Sequence, residues 1–309
     1  MKKLLAGLAV TGLMLAGCGA ATLDNGAKDS GDVEKKEASE LKVGASISTL
    51  NNPFFVSVKE GIVDLADENG TKTVVVDAQN DSAKQSNDMD DLIQQGVDVI
   101  LVNPVDSSAI QPAVESANAA NKPVITIDRS SDGGEVLTLV ASDNVKGGEM
   151  AAQFILDKIG ENGRVVELEG VPGASATRER GKGFDEFADG KLEVVEKQSA
   201  EFDRAKGLTV MENILQSTKD IQAVFAQNDE MALGALEALE AAGKTDVIVV
   251  GFDGNEDGVK AVKDGRLNAT IAQQPEEMGR IALQAAYDHF SGKKLDKKID
   301  SPLELMEAK

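Results

Sequence analysis

Ten short apolar runs recur between residues 43 and 272, and helix-spaced segments separate them. The runs are 43–48, 73–77, 99–102, 124–127, 136–141, 165–168, 192–196, 223–226, 247–250 and 269–272. Most are rich in Val, Ile or Leu, and 99–102 and 247–250 are uninterrupted, the pattern of parallel strands buried on both faces. Between them, Phe55, Val58, Ile62 and Leu65 repeat at helical spacing, as do Phe154, Ile155 and Ile159. Repeated strand–helix units predict an α/β fold with right-handed crossovers. Ten strands are many for one doubly wound sheet in a chain of 309 residues, and the repeat restarts near Ala141-Ser142-Asp143. The reading is therefore two similar doubly wound parallel-sheet lobes.

In open α/β sheets a ligand sits beyond the carboxyl ends of the strands. That rule selects Ser48, Asn51 and Asn52 after the first run, and Asp128 with Arg129 after the fourth. It also selects Gln227, Asn228 and Asp229, then Phe252 with Asp253, and finally Gln273. The set is amide, carboxylate and guanidinium, with phenylalanine among them.

The start of the chain carries a different message. Lys2 and Lys3 precede an apolar run over 4–16, the layout of a secretory signal. The run is shorter than the ~20 residues a spanning helix needs. It ends in Leu15-Ala16-Gly17-Cys18, which resembles a lipoprotein cleavage motif, and Cys18 is the chain's sole cysteine. The expectation is a signal over 1–17, lipid on Cys18, and a flexible spacer over 18–40, where no apolar period appears. One cysteine allows no internal disulfide, so stability rests on packing.

The net charge is −21, and removing the two signal lysines takes it to −21 − 2 = −23. Such a surface repels phosphate, which excludes a nucleic-acid partner, and it disfavours electrostatic docking on a membrane. Lipid is then the expected anchor.

Three motifs are weaker than they look. Gly243-Lys244-Thr245 resembles the end of a phosphate-binding loop, but Ala238 stands where that loop needs glycine, and a helix precedes rather than follows. Gly173-Ala174-Ser175-Ala176-Thr177 is one glycine short of a nucleophile elbow, and the sole histidine, His289, lies in a helical pattern. Asp253-Gly254-Asn255-Glu256-Asp257-Gly258 matches half a calcium loop, with Asp264 where glutamate belongs; a turn and helix cap is the better reading. No metal, no cofactor and no catalysis are expected.

Aromatics are scarce, nine Phe and one Tyr without Trp, yet Phe54, Phe55, Phe202 and Phe252 lie at strand ends or adjoining loops. A sugar ring offers C–H faces to flat apolar walls, and rim hydroxyls that both donate and accept suit Asp, Asn, Gln and Arg. Ser48-Thr49-Leu50-Asn51-Asn52-Pro53-Phe54-Phe55, Ile127-Asp128-Arg129, Ala141-Ser142-Asp143-Asn144, Arg178-Glu179-Arg180-Gly181 and Glu201-Phe202-Asp203-Arg204 resemble segments of bacterial ribose-binding proteins. So do the run 225–235, Val250-Gly251-Phe252-Asp253-Gly254 and Ala269-Thr270-Ile271-Ala272-Gln273. The resemblance covers nearly all of the chain from Leu41, and is looser over 185–199 and after Ser291.

This resemblance implies that Phe54, Phe55 and Phe202 stack on the sugar, with Ser48 and Asn52 lining the first loop. It implies that Asp128, Arg129, Arg180, Asn228, Asp253 and Gln273 bind hydroxyls, with Phe252 packed beside Asp253. It also implies a fold of the periplasmic binding protein type I with a three-segment hinge, crossing near Ser142, near Gln273 and within the last ten or so residues. The lobes would be 41–142 plus 274–300, and 143–273 plus 301–309. The implied role is a monomeric extracytoplasmic binder that captures D-ribose by hinge closure and passes it to an ABC permease, with a chemoreceptor as a further partner the resemblance allows. Allose, galactose or a furanosyl signalling molecule stay open as ligands. A sugar-responsive transcription regulator shares the two-lobe core but needs a DNA-binding helix pair and a basic face. A sugar-acting enzyme is the third alternative.

Overall fold

The structure, a computed structural model, describes residues 35–308; Cys18 and the signal and spacer expectations, apart from 35–40, lie outside the described residues. The described chain opens on a 3-10 turn (Ala38–Glu40). Contrary to the expected spacer over 18–40, residues 36–40 are docked on the folded body: the Lys36 amide donates to the Phe290 carbonyl at 3.2 Å, its Nζ to Asp98 at 2.7 Å, and Thr71 Oγ1 to the Ala38 carbonyl at 2.8 Å. Then follow β1 (Lys42–Ile47), α1 (Pro53–Asn69), β2 (Lys72–Asp77), α2 (Ser82–Gln94), β3 (Val99–Val102), α3 (Gln111–Ala119), β4 (Val124–Ile127) and β5 (Leu139–Ser142). It continues with α4 (Asn144–Ile159), β6 (Gly163–Glu169), α5 (Ser175–Ala188), β7 (Leu192–Ser199), α6 (Arg204–Ser217), β8 (Ala223–Ala226), α7 (Asp229–Ala241), β9 (Ile248–Asp253), α8 (Glu256–Lys263) and β10 (Ala269–Ala272). Last come α9 (Pro275–Phe290), β11 (Lys298–Ser301) and β12 (Glu304–Glu307).

Two six-stranded sheets result, ordered β11-β5-β4-β3-β1-β2 and β12-β10-β9-β8-β6-β7. Each orders its first five strands in the same doubly wound way, so the two lobes repeat one plan. The chain passes between sheets three times: after β5, after β10, and between β11 and β12. These three crossings join the two lobes. All four residues of β3, β4 and β8 are buried, as continuous apolar strands covered by helices on both faces should be.

The structure departs from the expected strands at the edges. Residues 136–138 only lead into β5, although the Leu137 amide still bonds the Val124 carbonyl at 2.8 Å. β7 runs on to Ser199, across a register shift against β6 between Val165 and Val166. β11 and β12 were outside the ten runs because they are short and half-exposed, and they carry Lys, Asp and Glu on their open sides. β12 is antiparallel to β10, so the second sheet is mixed rather than wholly parallel.

Helix ends follow local chemistry. Asn52 caps α1 with its side chain, Pro53 opens the helix where a missing N–H costs nothing, and Gly70 closes it at φ 70°. Helix pairs meet closely at glycine. A Cβ on Gly148 of α4 would fall 2.1 Å from the Arg180 carbonyl oxygen of α5. Phe184 of α5 stacks on Phe225 of β8, with centroids 4.7 Å apart. Together these contacts fix the height at which α5 carries Arg180. Among the described residues, no helix is long and apolar enough to cross a membrane.

Candidate functional site

The two lobes bring their strand ends together around a small, nearly filled cavity. Asn52, Phe54, Phe55, Asp128, Arg129, Ala176, Arg180, Phe202, Asn228 and Asp253 line it. Nine of the twelve expected site residues thus share one wall, although they span most of the chain.

In the first lobe, the Asn52 side chain accepts from the Phe54 amide at 2.9 Å and starts α1. Phe54 and Phe55 follow in its first turn, both buried and edge-to-face at 5.2 Å. Asp128 follows β4 in a left-handed conformation, φ 64°. An unstrained chain would continue extended here, so the turn directs the carboxylate into the cleft at a cost of order 1–3 kcal/mol. Arg129 is anchored by the Pro104 carbonyl at 2.9 Å. Its guanidinium lies over Phe55 of its own lobe at 5.0 Å and over Phe202 of the other at 5.3 Å. Cation–π contacts in a dry site bring the lobes together as well as the charges do.

In the second lobe, Arg180 carries the most contacts. Its Nε donates to Asn144 Oδ1 at 2.9 Å and its Nη1 to the Gln227 carbonyl at 2.6 Å. Nη1 also stands 3.6 Å from Asp253 Oδ1, while Nη2 faces Asp128 Oδ1 across the cleft at 4.0 Å. The guanidinium rests on the Phe252 ring at 3.7 Å. Asn228 caps α7 through Oδ1 and donates from Nδ2 to the Phe202 carbonyl at 3.3 Å. Phe202 sits in a tight turn at φ 61°, its ring over Gly170, where a Cβ would fall 2.0 Å from the ring. Only glycine permits that seat.

Three expected site residues stand behind the wall rather than in it. Ser48 is fully buried, and its amide bonds Asn103 Oδ1 at 3.2 Å. Phe252 is the platform beneath Arg180. Gln273 donates to Asp253 Oδ1 at 3.0 Å. Conversely, Ala176 lines the cavity without any functional group that a sequence reading could have selected. Asn144 and Gln227 hold Arg180, a role that neither the strand-end position of Gln227 nor the sequence around Asn144 reveals.

The cavity's fixed charges cancel: two guanidinium groups against two carboxylates. Burial pushes the Asp128 and Asp253 carboxyls upward, while the arginines pull them back. Burial likewise pulls the Arg129 guanidinium down against the opposing pull of Asp128; a guanidinium remains protonated in any protein. Among the described residues, Asp128 Oδ1, Arg129 Nε and Gln273 Oε1 are buried with no hydrogen-bond partner in the protein. Buried polar groups of this kind call for a partner. Two are acceptors and one is a donor, the mixture that hydroxyls satisfy.

The cleft is also closed outside the cavity. Ser130 of the first lobe donates its amide to Ser175 Oγ at 2.9 Å, and the Ser107 amide bonds the Gly173 carbonyl at 3.0 Å. Arg178 pairs with Asp132 at 3.0 Å.

The calcium-like segment is a cap: Asn255 follows β9 and bonds the Gly258 amide at 2.8 Å to start α8. Among the described residues, no cluster of His, Cys, Asp or Glu is placed to hold a metal ion. Asp229 lies behind Asp253, accepting from Thr270 Oγ1 at 2.7 Å and the Asn255 amide at 3.0 Å. Burial lifts its carboxyl to about 7 from an ordinary 3.8, despite the Thr270 bond. From about pH 4 to 7 the folded state therefore keeps a proton that the unfolded chain has lost, so stability contributed by Asp229 falls as pH rises. Relative to Asp229→Asn, the parent should lose stability across that window in denaturant titrations. A pH-independent difference would mean that Asp229 ionises normally.

A periplasmic binding protein domain matches residues 43–294. The ribose import binding protein of Bacillus subtilis is 64% identical over 90% of this chain and 90% of its own length. The ribose import binding protein of Escherichia coli is 49% identical, covering 93% of this chain and 97% of its own. A Mycobacterium smegmatis protein solved with β-D-fucofuranose superposes at a TM-score of 0.83 with 32% identity, over 87% of this chain and 91% of that one. These relatives are binding proteins rather than enzymes. With its two doubly wound lobes, triple crossing and matching domain over 43–294, this chain belongs to the periplasmic binding protein family.

Proposed function

We propose that this chain captures D-ribose between its lobes outside the cytoplasm and passes it unaltered to an ABC permease for import. The observation that carries the reading is the charge-balanced, aromatic-walled cavity. Cancelled fixed charge disfavours an ionic ligand such as an amino acid or a sugar phosphate. A polyol suits it, because hydroxyls donate to Asp128 and Asp253 and accept from Arg129 and Arg180. The high identity to ribose import proteins supports ribose among the pentoses.

Capture follows from geometry. Asp128 and Arg129 belong to one lobe, and Arg180 and Asp253 to the other. A ligand touching both sets binds the closed arrangement better than the open one, and only that difference can drive closure. The three interlobe crossings would absorb the motion. No acid–base step is needed.

A lipid on Cys18, with the residues between it and the docked segment 36–40 as a spacer, would hold the binder near its permease and raise its effective concentration there. Another small sugar is the second reading, favoured by the fucofuranose complex of a structural relative. Calorimetric titration of the purified protein with ribose, allose and galactose decides between them. The expected result is saturable heat with ribose at the lowest concentration, and ribose recovered unchanged. No heat with ribose but tight binding of another sugar would overturn the ligand assignment.

A further inference from the structure

Beneath the pocket floor lies a charge that the sugar site does not touch. Glu167 is fully buried in β6, between the apolar Val166 and Leu168. A lone carboxylate there would be costly. Lys197, its register partner on β7, reaches Glu167 Oε2 at 2.8 Å and also pairs with Asp185 at the surface. The other oxygen, Oε1, accepts from Gln227 Nε2 at 2.8 Å. Burial raises the Glu167 carboxyl, and Lys197 and Gln227 oppose that rise.

Replacing a buried ion pair by matched apolar residues is often neutral or stabilising, so stability alone does not account for this one. What the carboxylate adds is direction. It can only accept, so the Gln227 amide must turn its nitrogen towards it. The Gln227 oxygen then faces the Gly170 amide, which can only donate, at 3.0 Å. Both ends of Gln227 are thereby fixed.

Gln227 is a junction for three parts of the pocket. Its carbonyl takes Arg180 Nη1 at 2.6 Å. Its side chain holds Gly170, the seat of the Phe202 ring. Its successor is Asn228. Glu167 also lies directly under the turn that carries Arg180, since a Cβ on Gly181 would fall 3.2 Å from Gln227 Nε2 and 3.4 Å from Glu167 Oε1.

We infer that Glu167, held by Lys197, is a positioning residue for the sugar pocket: it fixes Gln227 and through it the seats of Arg180 and Phe202. The inference rests on the reading of the cleft as a sugar site. Glu167 itself touches no ligand, so its effect on affinity runs only through Gln227.

The test is a mutant cycle read by calorimetry with D-ribose, with circular dichroism as the check on folding. Glu167→Met with Lys197→Met removes the charge pair but keeps the bulk. It should bind about 10-fold more weakly, the scale of one buried hydrogen bond. Gln227→Met, which leaves the ion pair whole, should lose a similar factor. The triple variant should bind no more weakly than Gln227→Met alone, because a residue acting through another shows no separate effect once that other is gone. Parental affinity in the folded double variant, or losses that add in the triple variant, would overturn the inference. Should the double variant not fold, parental affinity in Gln227→Met overturns it as well. If the parent gives no heat with ribose, the same cycle is run with the sugar it does bind, so the ligand assignment and the inference fail separately. A parent that binds no sugar overturns both.

Discussion

Arg180→Ala should weaken ribose binding by at least about 100-fold, about 3 kcal/mol, without unfolding the protein. The guanidinium is buried and shared among Asn144, the Gln227 carbonyl, Asp253 and Asp128. Truncation removes the ligand's charged donor and leaves two buried carboxylates facing each other across the cleft. Their most economical response is to take up a proton, since burial already pushes both upward. Their capacity to accept from hydroxyls falls with it. Arg180→Lys keeps a positive charge but not the planar fork that bonds Asn144 and Gln227 at once. Its affinity should fall between parent and alanine variant. Calorimetry reads both, and alanine-variant affinity within threefold of the parent would remove Arg180 from the assigned role.

Cys18→Ser should move the exported protein from the membrane fraction to the soluble fraction while leaving sugar affinity unchanged. A serine hydroxyl offers no thiol for lipid, and the strongly acidic surface offers no electrostatic substitute. The folded lobes begin near Leu41, well beyond the cysteine, so the pocket does not depend on it. Fractionation of cells producing each form gives the answer. Continued partition of the serine variant with membranes would show that the tether is not lipid on Cys18.

The two lobes are legible in the sequence because strands buried on both faces must be almost wholly apolar, as β3 and β8 are and as β4 is apart from Thr126. β11 and β12 are not, because an edge strand needs only backbone partners and one covered face. Their Lys, Asp and Glu resemble loop residues until β5 and β10 supply the ladder. The pocket is legible where a strand ends in a polar residue, as at Asp128, Asn228 and Asp253. Arg180 is not, since within Arg178-Glu179-Arg180 it looks like any solvated helix face. Only the close approach of α4 at Gly148 and the Phe252 platform show that this turn of α5 points inward. Ala176 carries no chemistry to read at all. Glu167 illustrates the opposite difficulty, because a single acid among Val166 and Leu168 resembles alternation along a strand rather than a buried pair.

Capture by closure is the central claim, and small-angle X-ray scattering of the purified protein tests it most directly. Addition of D-ribose should lower the radius of gyration, with the change saturating at equimolar sugar, as the open lobes adopt the closed arrangement described here. An unchanged radius at saturating ribose would contradict it.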